Sequence, residues 1–382
     1  MTTSSLLFLI TQLCVGGCVV EVEYTDKVVE VEYTDKVVEV EYTDKVVSAH
    51  KGDSFGSALA TSYRKLVIGA PVDKEGSGSI IPEENIRIYA PQPQTYFGTS
   101  VDVNQHFIVA SALEPHSVYV YDSNSPYTLK ARLPVDFVSD VVISDDNTIA
   151  VSHYDENMVT IFVYEGEGEW SLGQKLLLEG CTQSLAISVH TLLVVEMHGH
   201  AFPINGIVHV YNNNGKKWVK SQTIEQHGVC YFGGSIAMDG SHLAVTAQQW
   251  HGGEHFTAVL YTYQLDVSTN TWVNNGYLNL PTVSSCVSIQ KDTLVATLTD
   301  YNIHETECGY VYKLSKSIKN NASVALYQWN HAAVFTTKAD PLTKEDDQHH
   351  RAVRVEGQLV FTGRYDRYGF GKVFVHDLSH IH

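Results

Sequence analysis

Downstream of the first fifty residues the chain is a succession of short apolar or alternating runs, separated by clusters of Gly, Asn, Asp and Ser. Runs of this length, rich in β-branched and aromatic residues, predict strands joined by turns rather than helices. One stretch sets the pattern. It opens with Gly52-Asp53-Ser54-Phe55-Gly56, reaches Leu66-Val67-Ile68-Gly69-Ala70-Pro71, crosses a Gly/Ser/acidic loop and ends in Ile86-Arg87-Ile88-Tyr89. A small sheet of this kind cannot bury its own face, so it should recur.

It does recur. Tyr96-Phe97-Gly98, Phe107 to Ser111 and Val118 to Tyr121 form a second copy, and Tyr231-Phe232-Gly233, Leu243 to Ala247 and Val259 to Tyr263 form another. Weaker copies start near Phe137, Gln183, Ser284 and Arg351. A period of about 40 to 50 residues is that of propeller blades. The expected fold is all-β, a seven-bladed β-propeller of four-stranded antiparallel blades. Blade one is expected to lack its outer strand, because Pro91-Gln92-Pro93-Gln94 leads straight into Phe97-Gly98 and proline is poor in ladders. Lys338 to His350 reads as a charged surface loop.

Phe55-Gly56 with Gly69-Ala70-Pro71, and Phe97-Gly98 and Phe232-Gly233 after them, resemble the FG-GAP repeat family, the blade type of the integrin α-chain head, over residues 46–378. The resemblance implies a propeller blade of the kind that many secreted proteins carry. It also implies calcium loops of the form Asp-x-Asp-x-Asp-Gly, but Ser144-Asp145-Asp146-Asn147 and Met238-Asp239-Gly240 lack the alternating carboxylates. Family-type calcium loops are therefore absent, and the chain looks closer to the calcium-free variant of the repeat.

The N-terminal part divides in two. Residues 1–18 combine an apolar run from Leu6 to Leu13 with small residues at Gly16-Gly17, as in a secretory signal peptide; Val15-Gly16-Gly17-Cys18 also resembles a lipoprotein box with Cys18 as the lipidated residue. Residues 19–45 are three identical copies of Val-Val-Glu-Val-Glu-Tyr-Thr-Asp-Lys, each a half-buried strand and a turn. The propeller then spans 46–382. Its last blade shows three strands, so Lys45 to Ala49 is expected to supply the fourth and close the ring from the N-terminal side. Identical copies carry no register preference, which allows self-association through the repeats.

Candidate chemistry gathers in one class of connection, between the second and third strands of each blade, which a propeller brings to one face. There lie His153 and Asp155; Glu196, His198 and His200; Trp250, His251, Glu254 and His255; and Asp300, His304 and Glu305. Imidazole with carboxylate suits a divalent transition metal, with His198, His200, His251 and His255 as the candidate ligands. Histidine also titrates between pH 5 and 8, and protonating all 19 would take the formal charge of −18 to +1, so a pH-gated face is a second reading. Ordinary loop polarity is the third.

Composition narrows the function. The charge of −18 opposes nucleic acid and anionic membranes, and no later segment is long and apolar enough to span a bilayer. No Gly-x-Ser-x-Gly, phosphate loop or His-Glu-x-x-His occurs; the pair Gly252-Gly253 rules out a helix in the segment Trp250 to His255. For an exported chain, Cys181, Cys230, Cys286 and Cys308 allow three disulfide pairings, and Asn321-Ala322-Ser323 is a glycosylation acceptor. The expected function is a secreted or cell-surface binding module for adhesion or assembly, with a protein or glycan partner at the loop face. A polysaccharide hydrolase or lyase on that face and a structural matrix component are the alternatives.

Overall fold

A computed structural model describes residues 38–41 and residues 54–382, except 84–85, 93–94, 154, 200–203, 252–255, 281–282, 300–306, 319–324, 337–348, 366–370, 380 and 382. The residues Lys45 to Ala49, expected to close the ring, lie outside the described set, as do His200, Glu254, His255, Asp300, His304, Glu305 and Asn321.

From β2 onward the alternating runs form strands that pair only with sequence neighbours inside each sheet, as expected where tight turns join antiparallel strands. Blade one holds β2 (Ala58–Ser62), β3 (Lys65–Ala70), β4 (Ser79–Glu83) and β5 (Ile86–Tyr89); a short helix, α1 (Asp73–Gly76), precedes β4. Blade two holds β6 (Val101–Val103), β7 (Phe107–Leu113), β8 (His116–Asp122) and β9 (Leu129–Pro134). Blade three runs from β10 (Val138–Ile143) through β11 (Ile149–His153) and β12 (Met158–Gly166) to β13 (Glu169–Leu177). In blade four β14 (Cys181–Ile187), β15 (Thr191–His198), β16 (Asn205–Asn213) and β17 (Trp218–Glu225) follow the same order. Blade five comprises β18 (Ile236–Asp239), β19 (His242–Trp250), β20 (Phe256–Asp266) and β21 (Thr271–Leu280). Blade six has β22 (Val283–Gln290), β23 (Thr293–Thr299), β24 (Glu307–Ile318) and β25 (Ala325–Thr336), and β1 (Val38–Glu41) adds to the outside of β25 in parallel, Val38 opposite Ala333. Blade seven has three described strands, β26 (His349–Glu356), β27 (Leu359–Tyr365) and β28 (Gly371–Asp377).

Seven blades are thus present, but two details depart from the pattern read in the sequence. Blade one does have an outer strand. Ile86–Tyr89 is its fourth strand, and the third is Ser79–Glu83, which pairs with β3 and buries Ile80 and Ile81. The Gly/Ser surroundings disguised it as loop, and a register shift between Ile80 and Glu83 accommodates Pro82. The described copy of the N-terminal repeat joins blade six, and it does so as a fifth strand.

The core is divided into seven apolar clusters, one in each gap between adjacent blades. The cluster of Phe55, Leu59, Ile68, Ala352, Phe361 and Val373 joins blade one to blade seven and completes the ring. The Phe-Gly motif works at these gaps. Phe97 and Phe232 are fully buried and meet Tyr119 and Tyr261 edge-on, at centroid distances of 5.5 and 5.7 Å. The motif glycine lets its backbone press on the preceding blade: a Cβ at Gly69 would collide with the carbonyl oxygen of Gly98, and one at Gly363 with that of Gly56. Blade-to-blade hydrogen bonds add a second layer. Gln174 clasps the backbone of Trp218 through both amide atoms (3.0 and 2.8 Å), and Gln222 clasps Trp272 likewise (2.8 and 2.8 Å).

Because the Gly69 site has no room for a methyl group, Gly69→Ala should force blades one and two apart and lower stability by about 1–3 kcal/mol, measured by urea denaturation. An unchanged midpoint would show that the contact can relax freely.

Candidate functional site

Antiparallel strands alternate direction, so second-to-third-strand connections and blade-to-blade connections emerge on the same face. His198 ends β15 on this face, and Trp250 ends β19. Asp155 is exposed there, as are His251 and Trp250, the last at 52%. His251 Nε2 lies 2.7 Å from Thr257 Oγ1.

Two of the expected face residues point inward. His153 is buried; its Nδ1 meets the carbonyl oxygen of Asp136 and its Nε2 lies 2.8 Å from Thr160 Oγ1. Its ring therefore ties the connection entering blade three to the sheet. Glu196 is buried as well and serves blade four. One oxygen accepts the Glu179 N–H (2.8 Å) and the Gly180 N–H and lies 3.1 Å from His198 Nε2; the other meets His209 Nε2. Glu196 thus holds the connection between blades three and four against β15 and β16. Burial would raise its carboxyl, but the bonds from His209, Gly180 and Glu179 outweigh that and hold it below the usual range. Burial pushes the His209 and His153 imidazoles down. His209 was not visible as a partner in the sequence, because it lies mid-strand in Ile207-Val208-His209-Val210; a lone polar residue on the apolar phase of a strand is the signal that could have found it.

Among the described residues, no three His, Cys, Asp or Glu side chains converge as metal ligands. His198 belongs to blade four and His251 follows β19 of blade five, while the other two expected ligands, His200 and His255, lie outside the described residues. The thiols of Cys181 and Cys230 are free.

The same face carries aromatic rings that the expected site residues did not include. Ser54, Tyr96 and Tyr231 precede the Phe-Gly pairs in left-handed backbone, with φ of 53°, 48° and 51°, and Phe137 has φ of 48°. Ser54 shows that the turn itself needs no aromatic. Yet Tyr96 and Phe137 are 41% and 37% exposed, in a conformation unusual for bulky side chains. Around them stand Glu114, Asp136, Asp155, Glu156 and Glu179, all exposed, while the connections of blades two to five on this face contain no Lys or Arg.

At the centre runs a channel of about 920 Å³ lined by the first strands of all seven blades. Polar residues interrupt those strands on the channel side. Asp140 accepts the Ser100 hydroxyl (2.7 Å) and the Leu185 N–H (3.0 Å), and Asp102 accepts the Ile143 N–H (2.8 Å), so both stitch successive blades. Each faces the lumen and is only partly covered, yet the surrounding ring of protein thins the water near it. Burial accordingly pushes Asp102 up to about 6, against the bonds from Ile143 and Val103 and the attraction of Arg354, which lower it; Asp140 is likewise raised. The polar interruption in Val101-Asp102-Val103 was legible, but its neighbours across the channel were not.

No protein-family model and no curated protein matches the chain. Solved structures do. The chain is similar to the WD40 repeats of RRP9, with a TM-score of 0.60 at 9% identity over 88% of this chain and 97% of that one. U3-55K gives 0.54 at 8% identity over 86% and 97%. The β-propeller domain of the Trilobed protease from Pyrococcus furiosus gives 0.51 at 12% identity over 84% and 94%. Identities this low show the fold alone. That fold is a seven-bladed β-propeller, and no helix among the described residues is long and apolar enough to cross a membrane.

The buried histidines make a pH prediction. His153 and His209 are held below their ordinary 6.5, and burial takes His376 down to about 3, so the unfolded chain binds protons that the folded chain refuses. Stability should therefore fall as pH drops below about 6.5. Asp102, raised from 3.8 to about 6, acts in the opposite sense between those values and offsets part of the loss. Urea midpoints taken between about pH 7 and pH 4.5 should decline, and less steeply in His376→Gln.

Proposed function

We propose that this chain is a binding propeller of the FG-GAP type, displayed outside the cell, that takes a protein partner on the face described above. The observation that carries the reading is the set of exposed rings, Tyr96, Phe137 and Trp250, amid carboxylates with no basic residue in the same connections of blades two to five. Aromatic side chains supply most of the energy in protein interfaces, and charge complementarity selects the partner. The fitting partner is a basic protein segment whose Lys or Arg side chains meet the carboxylates and stack on the rings. Family kinship is supported by Phe55-Gly56, Phe97-Gly98 and Phe232-Gly233, which all sit at blade junctions, and export by the apolar run and small residues within 1–18.

A second reading, structural self-association, is favoured by one observation: a copy of the repeat, Val38–Glu41, adds to the outer strand of blade six. Identical copies on another chain would suit the same edge.

Immobilised poly-arginine and polyglutamate peptides test the face. The chain should bind the first and not the second, with affinity falling as salt rises, and Phe137→Ala with Trp250→Ala should weaken binding at least about tenfold. Equal binding by that double variant would move the site elsewhere. Mass spectrometry of the chain expressed in a eukaryotic host should find it in the medium with residues 1–18 missing and a glycan on Asn321; retention in the cells with residues 1–18 intact would refute export.

A further inference from the structure

We propose that the central channel binds a small zwitterion, a molecule with one ammonium and one carboxylate group of the kind found in free α-amino acids. The site is separate from the outer face and needs no protein partner. Its volume, about 920 Å³, lies in the range of small-molecule pockets, and its walls are the regular inner strands of the ring rather than loops.

The charges in the channel are separated rather than paired. Blade seven supplies Arg354, whose guanidinium donates from Nη1 to the carbonyl oxygen of Val353 (2.9 Å) and, among the described residues, has no carboxylate oxygen within 4.0 Å. Most of its five donors are left for another acceptor. Blades two and three supply Asp102 and Asp140. Their oxygens accept backbone N–H groups and the Ser100 hydroxyl, and among the described residues neither has a cationic nitrogen within 4.0 Å. Both carboxylates nevertheless lie within the field of Arg354. A guanidinium and two carboxylates therefore share one channel without touching.

This arrangement favours one ligand chemistry. The N–H bonds from Ile143 and Leu185 fix the carboxylates in place and leave lone pairs unused, so they are preorganised acceptors for an ammonium group. Arg354 offers a planar fork suited to a carboxylate. A simple cation would satisfy the aspartates and be repelled by Arg354, and a simple anion would meet the reverse; only a ligand with both charges gains at both ends. Burial pushes Asp102 up to about 6 despite the attraction of Arg354, an electrostatic cost that an ammonium group beside it would relieve. Ala186, Ala237 and Ser288 keep the lumen open beside these groups.

The test is thermal unfolding of the full chain with each common α-amino acid at millimolar concentration, against acetate and methylammonium at the same concentration. At least one amino acid should raise Tm while neither half-molecule does. Calorimetric titration with that amino acid should lose at least about tenfold in affinity in Arg354→Gln and in Asp102→Asn. If the variants do not fold, the comparison between the amino acids and the two half-molecules still decides. No shift with any amino acid, a shift equalled by acetate or methylammonium, or affinity unchanged in a folded Arg354→Gln would each overturn the proposal.

Discussion

Close approach between neighbouring blades is the constraint on which the rest of the ring depends. No blade contains a core of its own; each apolar cluster is shared across a gap, so seven sheets are stable only as a set. The Phe-Gly pair serves that approach twice. Its aromatic ring fills the gap, and its backbone lies so near the preceding blade that Gly69 and Gly363 admit no side chain. The gap between blades seven and one obeys the same rule, with Phe55 and Phe361 in one cluster.

Polar groups follow the same geometry. Asp140 and Asp102 hold the backbone of the next blade from the channel side, and Gln174 and Gln222 do so from the outside. Glu196, with His209, anchors a blade-to-blade connection, and His153 anchors another. Buried polar groups of this kind are costly when unpaired, which is why each has several partners. What remains on the outer face is a smaller set than its composition implies: exposed acids, His198, His251 and the rings of Tyr96, Phe137 and Trp250. These groups stay at the surface, where a partner can reach them.

The repeat, the blade number and the identity of most strands were legible because they rest on local pattern: apolar alternation, turn residues and the Phe-Gly pair at a regular period. The third strand of blade one escaped because Ser79-Ile80-Ile81-Pro82-Glu83 is short, flanked by glycine and interrupted by proline, and only its pairing with β3 identifies it. Part of the outer face was also legible, since the class of connection locates Asp155, His198, Trp250 and His251.

The burial of His153 and Glu196 was not legible, because their sequence surroundings match those of the exposed residues. Only the path of the neighbouring connection, past Asp136 in one case and Gly180 in the other, turns them inward. The same holds for the channel. Asp102, Asp140 and Arg354 belong to three blades and are far apart along the chain, and closure of the ring alone brings them round one lumen. By itself the sequence determined the unit and its repetition, because strands and turns follow from neighbouring residues. The tertiary structure decided which polar residues became stitches and which stayed available, because that depends on what the next blade places opposite them.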